Sequence, residues 1–405
     1  PNVREIRVLE LFAGIGGMRL ALSYAGMAVD SVAVEVNQQA LAVYSGNFGS
    51  ENIVNRDICS LTPKWFDRQQ CRIWTMSPPC QPYTRQGRIR DAEDPRAKPL
   101  LHIIKVLQQV NSLPEAIVLE NVKNFELSDS FKLLCEALEE RGYEWRSFLL
   151  SPKQFGFPNA RLRFYLVAKQ RQHPFEHVPP MVMDAQEQRP WCSLPCGCAT
   201  EDWHVSFAES RKSCSSCGRT APEDAGDVAC IYDLLSIVNF LDSGDAEAWL
   251  VPEEILQKDS ARCFDVVQDD CCHSLCFTKA YGRYIDGTGS VYVSPVKLKE
   301  SSKDPGSYAM QEFCGALRYF SPSEVARLLG FKLTTVDDHP RHMHEADAPS
   351  SFCRASGRLR CLPLCQKHPV KSEASEACHC EDFQLPADPS RARELWALLG
   401  NSLNP

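Results

Sequence analysis

Residues 6–17 read IRVLELFAGIGG. The run up to Phe12 is mostly apolar, with Arg7 and Glu10 the exceptions, and of strand length, with Ile, Val and Phe suited to a buried pleated position. Ala13-Gly14-Ile15-Gly16-Gly17 then breaks the strand, and the residues up to Gly26 read as a helix closed by a glycine. A strand, a glycine turn and a helix in that order open a β-α-β unit. Outward from this unit the same alternation continues. Strands are expected at 31–34, 72–77, 116–120 and 163–168, and helices over 100–110 and 130–142. The pattern is that of an α/β domain, a doubly wound, Rossmann-like parallel sheet with helices on its faces.

At 405 residues the chain is long enough for two or three domains. We expect residues 1–170 to form the first part of the sheet domain. Residues 171–316, where the alternation lapses, are expected to form a second, smaller domain. Residues 317–405 are expected to return to the first domain, interrupted by a polar Cys/His-rich insertion at about 334–389. Ser321-Pro322-Ser323-Glu324 carries an N-cap serine, a proline at the first helical position and a glutamate at the third, so a helix should open there. A last helix is expected over ARELWALL.

Hydrophobic residues make up 44% and charged residues 24%, which excludes a largely disordered chain. No apolar run has the length of a membrane span, so no membrane partner is expected and the cytoplasm, with the nucleus as a second compartment, is the expected setting. The net charge of −8 argues against loose, charge-driven nucleic-acid binding but leaves room for a local basic cleft. Cysteine is abundant, 20 in all, and clustered. Without a secretory layout that favours metal ligands or a reactive thiol over disulfides.

Three sets of residues carry chemistry. The first is the turn Phe12, Ala13, Gly14, Ile15, Gly16 and Gly17, where backbone can approach a ligand at a helix N-terminus. Glu35 follows at the end of the next strand, placed for ribose hydroxyls. Arg19 stands where a dinucleotide fingerprint has its third glycine, which favours a nucleoside with a small zwitterionic tail, such as S-adenosylmethionine, over a pyrophosphate. The second is Ser77-Pro78-Pro79-Cys80-Gln81-Pro82, whose prolines stiffen a thiol-bearing loop after a strand. The third is Glu120-Asn121-Val122 with Arg161 and Arg163. Arginines at i and i+2 on a strand would share one face, so a carboxyl, a thiol and two arginines are expected to converge over one sheet edge.

Together FAGIGG, Glu35, Asp57-Ile58, PPCQP, ENV, NARLR, LRYFSPSE and the terminal GNS resemble the DNA-type cytosine-5 methyltransferase family, in that family's order from residue 8 to 402. Cys276-Phe277-Thr278-Lys279-Ala280-Tyr281, followed by GTGSV at 287–291, is similar to the tRNA aspartate cytosine-5 branch. The resemblance implies a methyltransferase sheet with a target-recognition domain, S-adenosylmethionine as cofactor, and tRNA, tRNA-Asp above others, as partner. It implies Cys80 as nucleophile at cytosine C6, Glu120 as a proton-bearing carboxyl at N3, and Arg161 and Arg163 at the cytosine O2 and the Cys80 loop. For the cofactor it implies Phe12 to Gly17, Glu35, Asp57, Ile58, Pro79, Asn401 and Ser402. For the substrate it implies Asn121, Cys276, Thr278, Lys279, Tyr281 and Arg283. The family's pattern has a further helix after GNS, so closure of the cofactor pocket is expected to be weaker here.

Lys279, Arg283, Lys297, Lys299 and Lys303 outnumber Asp286 and Glu300 around these segments and are assigned to tRNA phosphates. Two other readings stay open, a DNA cytosine-5 methyltransferase and an inactive nucleic-acid-binding protein. Cys196, Cys198, Cys214 and Cys217 have a spacing close to that of a four-thiolate zinc site, so a structural zinc is expected beside the alternative of reduced thiols.

Overall fold

The computed structural model describes residues 5–80, 95–175, 234–243, 246–294, 310–333, 383–386 and 388–402. It also describes the backbone of three short strand pairs, Val182–Met183 with Pro190–Trp191, Leu194–Pro195 with Trp203–His204, and Phe352–Cys353 with Arg358–Leu359. The chain divides into two compact units. The first comprises Pro1–Leu150 and Leu162–Ser210 (with Pro405), the second Ser151–Arg161 and Arg211–Asn404.

The first unit is built on a seven-stranded sheet. Its strands are β1 (Ile6–Leu11), β2 (Val29–Val34), β3 (Ile53–Val54), β4 (Ile73–Met76), β5 (Ala116–Val122), β6 (Tyr143–Leu150) and β7 (Arg163–Gln170), in the order β3-β2-β1-β4-β5-β7-β6. The five strands from β3 to β5 run parallel, and β7 is antiparallel to both neighbours. The order reverses between β1 and β4, the position where ligands bind in such sheets. Helices α1 (Gly17–Tyr24), α2 (Gln38–Phe48), α3 (Pro63–Gln69), α4 (Lys98–Gln109) and α5 (Asp129–Glu140) connect the strands. Several are started by side chains that satisfy orphan N–H groups. Asn37 caps α2 and Ser128 caps α5, the latter accepting from Phe131 N at 3.0 Å. Leu9, Leu11, Trp74, Met76, Leu119, Phe164 and Leu166 from the strands share one core with Ile103, Leu107 and Leu138 from the helices.

The expected strands and the helices at 100–110 and 130–142 are present with bounds shifted by a few residues. The sequence reading does not include α2, α3, β3 or β6. In β6 Glu144 and Arg146 share one face of an edge strand and pair with each other at 2.5 Å, while the buried Ser147 breaks the apolar row of Tyr143, Trp145 and Leu149 on the other face.

The second unit contains a three-stranded sheet of β8 (Asp265–Val267), β9 (Ser290–Val293) and β10 (Leu317–Tyr319). β9 runs parallel to β8 and antiparallel to β10. That pairing puts Leu317–Tyr319 in the sheet of the second unit, although the sequence alone assigns these residues to a return to the first domain. Strand propensity marks Leu317–Tyr319 as a strand but cannot say which sheet it joins. Helix α6 (Pro322–Leu328) opens on both halves of the expected capping box, Ser321 accepting from Glu324 N and Glu324 accepting from Ser321 N. The last helix, α7 (Ala392–Gly400), covers ARELWALL.

Glu324 is also the centre of a buried ion pair. Both its oxygens accept from the Arg318 guanidinium, at 2.7 and 2.8 Å, and Asp242 N donates to it at 2.8 Å. Removing one partner of a buried pair leaves an uncompensated charge, so Arg318→Met should destabilise the second unit by about 3–5 kcal/mol. Urea unfolding followed by circular dichroism checks this, and a loss under about 1 kcal/mol would count against it.

Among the described residues no helix is long and apolar enough to cross a membrane.

Candidate active site

The parallel register lines up the carboxyl ends of the strands. Val54 pairs with Val34, Val34 with Leu11, Leu11 with Met76 and Met76 with Leu119. The residues that follow each of these form one row along the sheet edge: Asn55, Glu35, Phe12, Ser77 and Glu120. The expected cofactor and catalytic residues of the first unit lie on this row or in the loops that continue from it, except Arg163, which opens the antiparallel β7 opposite Val122.

On the glycine side, Phe12 has φ +59, a left-handed conformation that is strained for a bulky residue by about 1–3 kcal/mol. The strain is held in place by neighbours. Ala13 N donates to Val34 O and Gly16 N to Ala13 O, while Gly14, at φ +54, donates its N–H to Glu35 Oε2 at 2.9 Å. Glu35 Oε1 accepts from Val36 N and Asn37 N. The Glu35 carboxylate therefore clasps the glycine turn and the start of α2 together. Gly16, at φ +95, is the N-cap of α1, and a Cβ there would overlap the Phe48 ring. Ala13, Ile15, Gly16 and Gly17 are buried, leaving Phe12 and Gly14 as the part-exposed members of the turn. Asp57 is exposed and caps the turn that begins at the buried Ile58, accepting from Cys59 N at 2.9 Å.

Beneath the turn lies a pair that the sequence reading missed. Glu10 is buried, and Tyr44 of α2 donates its hydroxyl to Glu10 Oε1 at 2.6 Å. Burial pushes the Glu10 carboxyl above its usual range, partly offset by the Tyr44 hydrogen bond. A carboxyl whose folded pKa is raised contributes stability that is present below its unfolded value, about 4.3, and is lost as pH rises through the folded value. Glu10→Gln keeps the acceptor and removes the charge. It should raise Tm at pH 8 and change it little at pH 4, and melts at the two pH values showing equal shifts would contradict this.

On the catalytic side, Ser77 N donates to Leu11 O, so the Pro78-Pro79-Cys80 loop starts beside the glycine turn. Cys80 and Pro79 are half-buried. Glu120 is buried on β5, and Arg163, the first residue of β7, places its Nε 3.3 Å from Glu120 Oε1. Asn121 is 1% exposed; its amide donates to Pro78 O at 3.3 Å and its Oδ1 accepts from Val122 N. Expected as a substrate contact, Asn121 instead ties the Cys80 loop to β5, because the residue after Glu120 points to the opposite face of the strand.

Arg161 departs from the expectation more sharply. It precedes β7 in a turn, with its N–H on Asn159 O, so the strand rule that put it beside Arg163 does not apply. It belongs to the second unit and is 3% exposed. Its guanidinium donates to Phe277 O at 3.3 Å, to Gly400 O at 3.4 Å, to Ser402 O, and to the Cys276 sulfur at 3.6 Å. A cation on the last carbonyls of α7 is favourable both as a cap and against the helix dipole. Arg161 thus fixes the GNS turn, in which Asn401 is exposed and Ser402 buried.

Of the remaining expected substrate residues, Lys279 and Arg283 are exposed and Thr278 is half-buried, with its N–H on Thr288 O. Tyr281 is 3% exposed and cannot reach a substrate. Its hydroxyl donates to Ser290 O at 2.6 Å and accepts from Phe320 N, and its ring packs against Phe277, Tyr319 and Trp396. Lys297, Lys299 and Lys303, like Cys196, Cys198, Cys214 and Cys217, lie outside the described residues. Among the described residues no group of three or more His, Cys, Asp or Glu side chains is placed to hold a metal ion.

Val36, directly after Glu35 at the sheet edge, is 67% exposed.

A family model described as C-5 cytosine-specific DNA methylase matches residues 6–197. A Bos taurus tRNA (cytosine(38)-C(5))-methyltransferase is 36% identical over 372 residues, covering 84% of this chain and 95% of that protein. The Homo sapiens protein of the same name is 35% identical, covering 81% and 90%. The crystal structure of the Schizosaccharomyces pombe Dnmt2 methyltransferase aligns with a TM-score of 0.61 at 29% identity, covering 99% of this chain and 95% of that one.

Proposed function

The chain belongs to the C-5 cytosine methyltransferase family, and from that premise we propose that it transfers a methyl group from S-adenosylmethionine to C5 of a cytosine in tRNA, at position 38 of tRNA-Asp. The observation that carries the chemistry is the single row at the sheet edge that sets a thiol loop beside a buried Glu120–Arg163 pair and a glycine turn clasped by an acid. The choice of tRNA is supported by the relatives named for cytosine 38 and by the CFTKAY and GTGSV segments.

When bound, S-adenosylmethionine supplies a methyl group made electrophilic by its sulfonium. Phe12 and Val36 offer apolar faces for the adenine, Glu35 a carboxylate for the ribose, and Asp57 an acceptor for the adenine amine. Cytosine C5 is a poor nucleophile until C6 is substituted. The Cys80 thiolate adds to C6 while Glu120 supplies a proton at N3, and C5 becomes enamine-like. After C5 has taken the methyl, a base removes the C5 proton. The bond from Cys80 to C6 then breaks and the N3 proton returns to Glu120, which restores the neutral ring, the thiolate and the protonated carboxyl. Arg163 holds Glu120 in one orientation throughout.

The test is a mixed assay of tRNA-Asp and duplex DNA with labelled cofactor at physiological salt, read by bisulfite sequencing. tRNA should be methylated far faster, because an anticodon-loop base is already partly unstacked whereas flipping a paired base costs a few kcal/mol. Duplex DNA outcompeting tRNA would overturn the assignment. A structural zinc on Cys196, Cys198, Cys214 and Cys217 is proposed alongside, supported by their spacing. Elemental analysis of protein purified without added metal should find at least one zinc per chain, and a trace amount would remove the idea.

A further inference from the structure

The geometry points to Tyr284 as a stacking platform for an unpaired base of the substrate RNA, an inference that rests on the tRNA reading above. Among the described residues six large apolar side chains are exposed, and Tyr284, at 60%, is the single aromatic among them. An isolated exposed apolar residue means little. Tyr284 is distinguished by how it is held and by what surrounds it.

Its backbone is fixed on both sides. Tyr284 N donates to Ala280 O at 3.2 Å, and Thr288 Oγ1 donates to Tyr284 O at 2.8 Å. The turn that carries it is anchored from below by Tyr281, whose buried ring and hydroxyl contacts lock the start of the same loop. Thr278 N on Thr288 O closes the base of the loop. The ring is therefore presented on a rigid turn, which lowers the entropy lost on contact.

The surroundings are cationic. The Arg283 guanidinium lies 5.5 Å from the Tyr284 ring centroid, and both Arg283 and Lys279 are exposed. Asp286 is the exposed acid in the same turn. A flat ring beside an arginine, with an exposed lysine in the same loop, matches a nucleobase with its phosphates, since any base offers a face to stack and the cations take the backbone. A protein surface would more readily use a larger apolar patch than one ring.

Tyr284→Ala and Tyr284→Leu separate a flat ring from mere apolar bulk, and Tyr284→Phe tests rescue by the ring alone. Alanine and leucine should raise the KM for tRNA-Asp roughly five- to a hundredfold, and phenylalanine should bring it back to within about twofold. Affinity for S-adenosylmethionine and the Tm should not move. The salt dependence of tRNA binding should keep its slope in Tyr284→Ala but flatten by about one in Arg283→Ala. A Tyr284→Leu enzyme with wild-type KM, or a Tyr284→Phe enzyme as impaired as Tyr284→Ala, would overturn the platform while the tRNA assignment stood. A wild-type chain that methylates no tRNA would overturn both.

Discussion

Cys80→Ala is expected to lower methyl transfer to tRNA by roughly a thousandfold or more, because losing a nucleophile removes the covalent route altogether. S-adenosylmethionine affinity should stay within about twofold, since the groups assigned to it are Phe12, Glu35, Val36 and Asp57, on the β1, β2 and β3 side of the sheet edge. The loop that carries the thiol is stiffened by Pro78 and Pro79 and tied down by Ser77 N on Leu11 O and the Asn121 amide on Pro78 O, so alanine should leave it in place. Equilibrium binding of the cofactor and single-turnover methyl transfer, measured on the same preparation, separate the two effects. Residual turnover above about a hundredth of wild type would take Cys80 out of the nucleophile role. A parallel loss of cofactor binding would show instead that the thiol supports the pocket.

Glu120→Gln is the second large effect. The amide is nearly the same size and can still hydrogen-bond, but it cannot deliver a proton to N3. A fall in kcat of roughly a hundred- to ten-thousandfold is expected, the range for a lost general acid. Arg163 places its Nε 3.3 Å from Glu120 Oε1, a position from which it orients the carboxyl. Arg163→Ala should therefore lower kcat less than Glu120→Gln. In the double variant the Arg163 change should add little once the carboxyl is gone. Additive losses would mean that Arg163 acts on the substrate independently. Thermal melts of all three variants guard against a general loss of stability, since Glu120 is buried and half of an ion pair has been removed.

How much of this was legible in the chain depends on how far each determinant reaches. A strand, a glycine turn and a helix are encoded in neighbouring residues, and the structure has β1 ending at Leu11, left-handed Gly14 and Gly16, and α1 starting at Gly17. The capping box at Ser321 and Glu324 is equally local, and both its halves form. The order of motifs also told which strand ends would carry a thiol and a carboxyl. It could not tell which side chains would then point at one another. Arg161 and Arg163 are two residues apart, yet one caps a helix end 239 residues away and the other pairs with Glu120. The difference is set by where β7 begins, which depends on its pairing with β5 and β6.

Tyr281 and Tyr284 show the same limit. Both are tyrosines of one short loop, and residue type assigns them alike. The long-range aromatic cluster of Tyr319 and Trp396 takes Tyr281 into the core, and the turn then leaves Tyr284 in water. The Glu10–Tyr44 pair, 34 residues apart, likewise exists only because α2 packs back on β1. The sequence by itself determined the elements, their caps and the chemical groups at the strand ends, because those follow from contacts within a few residues. Only the tertiary structure decided which of those groups are buried, paired or presented to a ligand, because burial and pairing are set by strand register and packing between residues far apart in the chain.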